Sequence, residues 1–119
     1  LINPTIVDGQ ITGGATHGLG SALFERMIYD DQGQPQTTNF GEYLLPSAPE
    51  VPSYDIMHIE SPTPLNPLGV KGAGEGGTIP VTSAVASAVD DALTDFGVVI
   101  RELPIEPKRI VEMIRESAT

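Results

Sequence analysis

Five glycines lie within the nine residues 69–77, and this cluster limits what the surrounding chain can fold into. Glycine is unfavourable inside helices and strands, costing roughly 1 kcal/mol relative to alanine in a helix, so these residues predict a loop. The loop carries two charged side chains, Lys71 and Glu75. Because glycine lets the backbone approach another molecule closely, Glu75 is well placed to act as a general base. Loop composition alone leaves open that Glu75 is a solvated acid without a role.

The charge balance and the lack of cysteine exclude several kinds of function. The net charge is −10 with only six Lys and Arg residues, which disfavours nucleic acid and anionic membrane surfaces as partners. Without cysteine, this chain cannot hold an Fe–S cluster by thiolates or form disulfides. No apolar run approaches the roughly 20 residues of a membrane span, so we expect a cytoplasmic protein. His17 and His58 have no metal-ligand neighbour three or four residues on, so we expect no metal held by side chains.

The periodicity of apolar residues predicts an α+β fold of short strands and a hairpin packed with about three helices. Helices are predicted for residues 8–27, for residues 78–96 and for residues 108–117. A hairpin is predicted within residues 27–38, and strands for residues 54–60 and 98–102. Residues 1–119 are expected to form one domain.

The first predicted helix contains an unusual number of glycines, among them Gly13, Gly14, Gly18 and Gly20. A helix that accepts several such penalties is expected to pack very closely, either against another helix or against a ligand. Asp8 is the predicted N-cap, which would place Gln10 in the first turn, at the positive end of the helix dipole.

The six residues from Gly72 to Gly77 match the G-x-G-x-x-G pattern of dinucleotide-binding folds. That fingerprint requires a strand running directly into the first glycine, whereas three prolines lie within residues 61–68. Glu75 would also add negative charge beside a pyrophosphate. A small dinucleotide-binding module is therefore a less favoured alternative.

Two motifs taken together resemble a known family. Residues 8–14, with the sequence DGQITGG, are followed at a distance by residues 69–75, with the sequence GVKGAGE. This pairing is similar to the C-terminal part of the molybdenum-binding large subunit of molybdenum hydroxylases, the family of xanthine dehydrogenase, aldehyde oxidase and carbon monoxide dehydrogenase. Further similarity to this family lies in residues 43–46, 80–93 and 103–110.

The resemblance implies a chemistry. The cofactor would be molybdenum on a molybdopterin, often the cytosine dinucleotide form, with the metal held by the pterin sulfurs. The position matching Glu75 is the general base that takes a proton from a metal-bound hydroxide, and a buried carboxylate would suit this role. Gln10 would hydrogen-bond the cofactor, and Gly72 and Gly74 would let the loop come close to it. The substrate would be an aldehyde, an N-heterocycle, a purine or CO.

The resemblance also implies partners, because the family's large subunit is several times longer than 119 residues. We expect this chain to be a C-terminal fragment whose partners are the remainder of the large subunit and modules carrying Fe–S clusters and FAD. By itself it would be inactive. An alternative is a non-catalytic folding or assembly domain without a cofactor.

Overall fold

The computed structural model describes residues 1–118. It contains three α-helices: α1 (Pro4–Leu23), α2 (Thr78–Ala92) and α3 (Pro107–Ser117). A short 3₁₀ turn, Thr94–Phe96, follows α2. Helices α1 and α2 pack against each other, and long connections without regular structure join the helices. The three predicted helices are therefore confirmed.

Helix α1 begins four residues earlier than predicted. Its N-cap is Asn3, whose side-chain oxygen accepts a hydrogen bond from the backbone N–H of Ile6 at 3.1 Å, and Pro4 occupies the first helical position. The prediction that Asp8 caps the helix is wrong, because Asp8 is the fifth helical residue. Asn and Asp are comparable capping residues, and the Asn-Pro pair was the better signal.

The later helices match the predicted boundaries more closely. Helix α2 starts at Thr78 after the N-cap Gly77, and Pro80 lies in its first turn, where its missing N–H costs nothing. Gly97 ends this part of the chain with a φ of 66°, the left-handed conformation that glycine adopts readily. Helix α3 starts with Pro107 at its first position.

The predicted strands and hairpin are not found. Within residues 1–118 the backbone forms no paired strands, and the expected hairpin reduces to one isolated antiparallel bridge between Tyr29 and Pro35 around a turn at Gly33. Residues 54–60 and 98–102 belong to no sheet. Alternating side chains can mark a chain as extended, but a strand also needs a neighbouring strand to accept its hydrogen bonds.

The buried core is small for a chain of this length. Four apolar residues are buried, namely Ala15, Ala22, Val98 and Ile105, whereas nineteen large apolar side chains within residues 1–118 are exposed. The radius of gyration is 18.3 Å, compared with about 13–14 Å for a compact domain of this size. Much apolar surface is thus left uncovered by the chain itself. No helix among the described residues has the length and apolar character needed to cross a membrane.

Candidate active site

The site is built where α1 and α2 cross, and glycine allows the helices to approach. A β-carbon placed on Gly14 would lie 2.9 Å from the backbone nitrogen of Thr78, and one on Gly18 would lie 2.7 Å from the β-carbon of Val81. Both distances are shorter than real side chains tolerate, so only glycine fits at these two positions. The prediction that the glycine-rich helix packs very closely is confirmed, and the partner at Gly14 and Gly18 is another helix.

The end of the glycine loop is fixed at the same crossing. A β-carbon on Gly77 would lie 2.5 Å from the carbonyl oxygen of Ile11 and 3.2 Å from the backbone nitrogen of Ala15. The loop therefore contacts α1 at Ile11, the residue after Gln10. Two consecutive Cα–Cα steps of 3.8 Å span at most about 7 Å, so Glu75 lies within that distance of Gly77. The fold thus brings the two sequence motifs to one place.

Glu75 lies just ahead of the N-terminus of α2. Its backbone carbonyl accepts hydrogen bonds from the N–H groups of Thr78 at 3.0 Å and of Ile79 at 3.2 Å. Its carboxylate is exposed and makes no hydrogen bond or ion pair within residues 1–118. The carboxylate is thus free to meet a molecule from outside the chain, at the end of α2 where the helix dipole favours negative charge. The expected burial of this side chain is not present among these residues.

Gln10 does not lie in the first turn of α1, as was predicted from the mistaken cap. It is the seventh residue of the helix, and it is exposed. At 100° per residue, Gln10, Gly13 and His17 share one face of α1. Apart from the nearby backbone of α1 itself, nothing lies within 4 Å of a β-carbon built on Gly13, so this face is open beside Gln10. His17 is exposed and lies seven residues, or two helical turns, after Gln10. This spacing could have identified His17 as a further candidate site residue.

The remaining glycines of the loop fall into two groups. Gly72 and Gly74 are exposed, and a β-carbon placed on either of them would have nothing within 4 Å. Gly69 has a φ of 66° and packs on Pro62, while Lys71 donates a hydrogen bond from Nζ to Oγ of Ser61 at 3.1 Å. The loop is therefore anchored at both ends, with an open stretch of backbone from Gly72 to Gly76 between the anchors.

The dinucleotide alternative loses support from this arrangement. A helix does follow Gly77, but residues 64–68 form turns and residues 69–71 have no regular structure, so no strand runs into the first glycine. The fingerprint depends on that strand to direct the loop at a pyrophosphate.

Within residues 1–118, no group of three or more His, Asp or Glu side chains is arranged to hold a metal ion.

Comparison with known proteins agrees with the family resemblance seen in the sequence. Residues 1–52 match a family described as the molybdopterin cofactor-binding domain. The nicotine 6-hydroxylase large subunit of Paenarthrobacter nicotinovorans is 48% identical over 111 residues, covering 93% of this chain and 14% of the relative. The xanthine dehydrogenase molybdenum-binding subunit of Escherichia coli O157:H7 is 38% identical over 113 residues, covering 94% of this chain and 15% of the relative.

A solved structure extends the agreement to the fold. The crystal structure of quinoline 2-oxidoreductase from Pseudomonas putida 86 superposes with a TM-score of 0.94 at 48% identity, covering 98% of this chain and 15% of that chain. The chain thus spans about one seventh of the length of the relatives it matches. On these similarities, the chain belongs to the molybdenum hydroxylase family, as a segment of the molybdenum-binding large subunit.

Proposed function

We propose that this chain is the part of a molybdenum hydroxylase large subunit that supplies the general base, Glu75, for oxidation of a small substrate with oxygen derived from water. The observation that carries the proposal is the position of Glu75. Its carboxylate is exposed on an anchored glycine loop, and that loop joins α1 next to Gln10. Its neighbours Gly74 and Gly76 carry no side chains that would obstruct a substrate.

The residues present fit a molybdopterin group. Gln10 offers an amide that both donates and accepts hydrogen bonds, and the open backbone from Gly72 to Gly76 leaves room for a flat, polar molecule. The bound cofactor would supply the two-electron oxidation chemistry. We assign Gln10 to a hydrogen bond with the cofactor, and Gly72 and Gly74 to its close approach. The Fe–S and FAD groups would lie on other domains or subunits.

Glu75 would hold and move one proton. As a carboxylate it accepts a proton from the water-derived nucleophile, on either of its side-chain oxygens. The nucleophile then attacks an electron-poor carbon of the substrate. Proton acceptance by a positioned side chain typically contributes 10²- to 10⁴-fold in rate. The site requires the remainder of the large subunit to exclude water and to form the substrate pocket.

We favour an N-heteroaromatic ring as the substrate class. Nicotine 6-hydroxylase and quinoline 2-oxidoreductase, each 48% identical to this chain, both carry the name of an N-heteroaromatic compound. In such rings the carbon beside the nitrogen is electron-poor, which suits attack by a nucleophile that Glu75 has deprotonated. Steady-state oxidation of pyridine- and quinoline-type compounds, compared with an aldehyde and CO, tests this assignment. Preference for an aldehyde or CO would contradict it.

The role of Glu75 is tested by Glu75→Gln in the complete enzyme. The matched control is Glu102→Gln, which makes the same change at an exposed glutamate without a hydrogen bond or ion pair among the described residues. We expect kcat to fall by 10²-fold or more for Glu75→Gln and to stay within about twofold for Glu102→Gln. Molybdenum content, measured by elemental analysis, should be equal in the two variants. Full turnover by Glu75→Gln would refute the role of this residue.

A non-catalytic assembly domain is the competing function. It predicts that the complete complex contains no molybdenum and that Glu75→Gln behaves like Glu102→Gln. Absence of molybdenum from the purified complex would contradict the catalytic function, and equal kinetics of the two variants would favour the assembly domain.

A further inference from the structure

Residues 54–60 run along α1, and the side chains of Tyr54 and His58 contact this helix. The hydroxyl of Tyr54 lies 3.4 Å from Oγ1 of Thr16, and Nε2 of His58 lies 2.7 Å from Oδ1 of Asp8. The segment therefore runs antiparallel to the helix.

The spacing of these contacts matches that of an extended segment. Thr16 and Asp8 are eight residues apart on the helix, roughly 12 Å at 1.5 Å per residue. The four residue steps from Tyr54 to His58 span roughly 13 Å at the 3.3 Å per residue of a β-strand. The contact spacing thus matches the rise of a strand, although no strand lies beside residues 54–60 within residues 1–118.

The other side of this segment carries Asp55 and two uncovered apolar side chains. The odd-numbered residues Met57 and Ile59, which alternate with the side chains that hold α1, are 87% and 93% exposed. The backbone N–H and C=O groups of residues 54–60 make no hydrogen bond within residues 1–118. Beside Met57 and Ile59 lies an open cavity of about 590 Å³, whose apolar lining includes Ile6, Leu68 and Val70.

We propose that residues 54–60 form a strand of a β-sheet whose neighbouring strand comes from the remainder of the large subunit. This rests on the proposed function in one respect, namely that the chain works as part of a complete large subunit. An unpaired extended backbone with one helix-covered face and one apolar face is the pattern by which a strand adds to a sheet. The relatives are about seven times longer than this chain, so ample chain is available to supply that strand.

A second copy of this chain is a poorer occupant. Each copy carries a net charge of −10, so pairing two copies would bring like charges together. The strand itself adds to this, because residues 54–60 carry Asp55 and Glu60 and no Lys or Arg to pair with them. The remainder of the large subunit is free of this constraint.

Hydrogen–deuterium exchange in the complete large subunit tests the proposal. We expect the amides of residues 54–60 to exchange at least about 100-fold more slowly than unprotected amides, since paired strands are protected until they open. Protection of every second amide would indicate a partner on one edge, and protection of all of them a partner on both edges; either supports the proposal. Exchange within tenfold of the unprotected rate would overturn it. So would protection that disappears on dilution of the subunit to a monomer, because the partner would then be a second copy.

Two variants at residue 57 provide a second test, which separates backbone pairing from contacts of the side chain alone. Met57→Pro removes an N–H that has no partner within residues 1–118, so it should cost the chain itself no hydrogen bond. Met57→Thr removes the same apolar side chain but keeps the N–H and a residue suited to strands. We expect Met57→Pro to accelerate exchange across residues 54–60 by tenfold or more relative to Met57→Thr. Equal exchange in the two variants would overturn the pairing at the edge that the Met57 N–H faces.

These results are independent of the assignment of Glu75. Glu75→Gln is expected to leave the exchange of residues 54–60 unchanged, because Glu75 contacts none of them in the described chain. Loss of strand protection with a normal Glu75→Gln effect, or the reverse, would therefore identify which of the two proposals has failed.

Discussion

Gly77 lies against the backbone of Ile11, so closely that a β-carbon at residue 77 would stand 2.5 Å from the Ile11 carbonyl oxygen. This contact joins two parts of the chain that are 66 residues apart in sequence. It places the glycine loop on α1 beside Gln10 and sets where α2 begins. The geometry of the candidate site therefore depends on a residue with no chemistry of its own.

Gly77→Ala should loosen the crossing of α1 and α2, and Gly76→Ala should not. The added methyl group at residue 77 meets backbone atoms that cannot turn aside, whereas residue 76 faces open space. Overpacking of this kind costs about 1–3 kcal/mol, which corresponds to roughly 5- to 150-fold faster amide exchange in α1 and α2. The measurement is amide exchange in the complete large subunit. Equal exchange in both variants would contradict the close contact.

Gln10→Ala should weaken retention of the molybdenum cofactor without unfolding the subunit. Loss of one hydrogen bond costs about 0.5–1.5 kcal/mol, so we expect roughly 2- to 10-fold faster loss of molybdenum during dialysis. The control is Ser21→Ala, another exposed position on α1, roughly 16 Å further along the helix axis. If the two variants retain molybdenum equally, Gln10 does not contact the cofactor.

The hydroxyl of Tyr43 donates a hydrogen bond to the Glu25 carboxylate at 2.7 Å, and this bond raises the pKa of Tyr43 above its ordinary value of 10.0. Because the folded pKa is the higher one, the stabilisation is fully present below pH 10 and is lost as pH rises through the folded pKa. In a difference titration against Tyr43→Phe, the tyrosinate absorbance should therefore appear above pH 10. Glu25→Ala should return that step towards pH 10; an unchanged step would show that Glu25 is not the cause.

Helix boundaries could be predicted from the sequence where their cause lies in neighbouring residues. Pro107 at the start of α3 and Gly97 after the 3₁₀ turn act through their own backbone preferences, so both boundaries were predictable. The start of α1 was missed because Asp8 and Asn3 are both good caps, and choosing between them depended on Pro4. That error also misplaced Gln10 by more than a turn.

The strands could not be predicted correctly, because pairing is not a local property. Residues 54–60 show the alternation of a strand in their sequence, but no strand pairs with them among residues 1–118. The site was partly predictable, because its two motifs are local in the sequence. Glu75 and Gln10 were found from motif chemistry, and their roles stay predictions.

The sequence by itself determined the three helices, the loop at residues 69–77 and the two motifs that mark the family. Each of these follows from residue types within a few positions of one another. Tertiary structure alone decided which glycines are structural. Gly14, Gly18 and Gly77 lie where another helix leaves no room for a β-carbon, while Gly72 and Gly74 face open space. The physical reason is steric: a glycine's role depends on what lies within 4 Å of it, and those atoms come from distant parts of the chain.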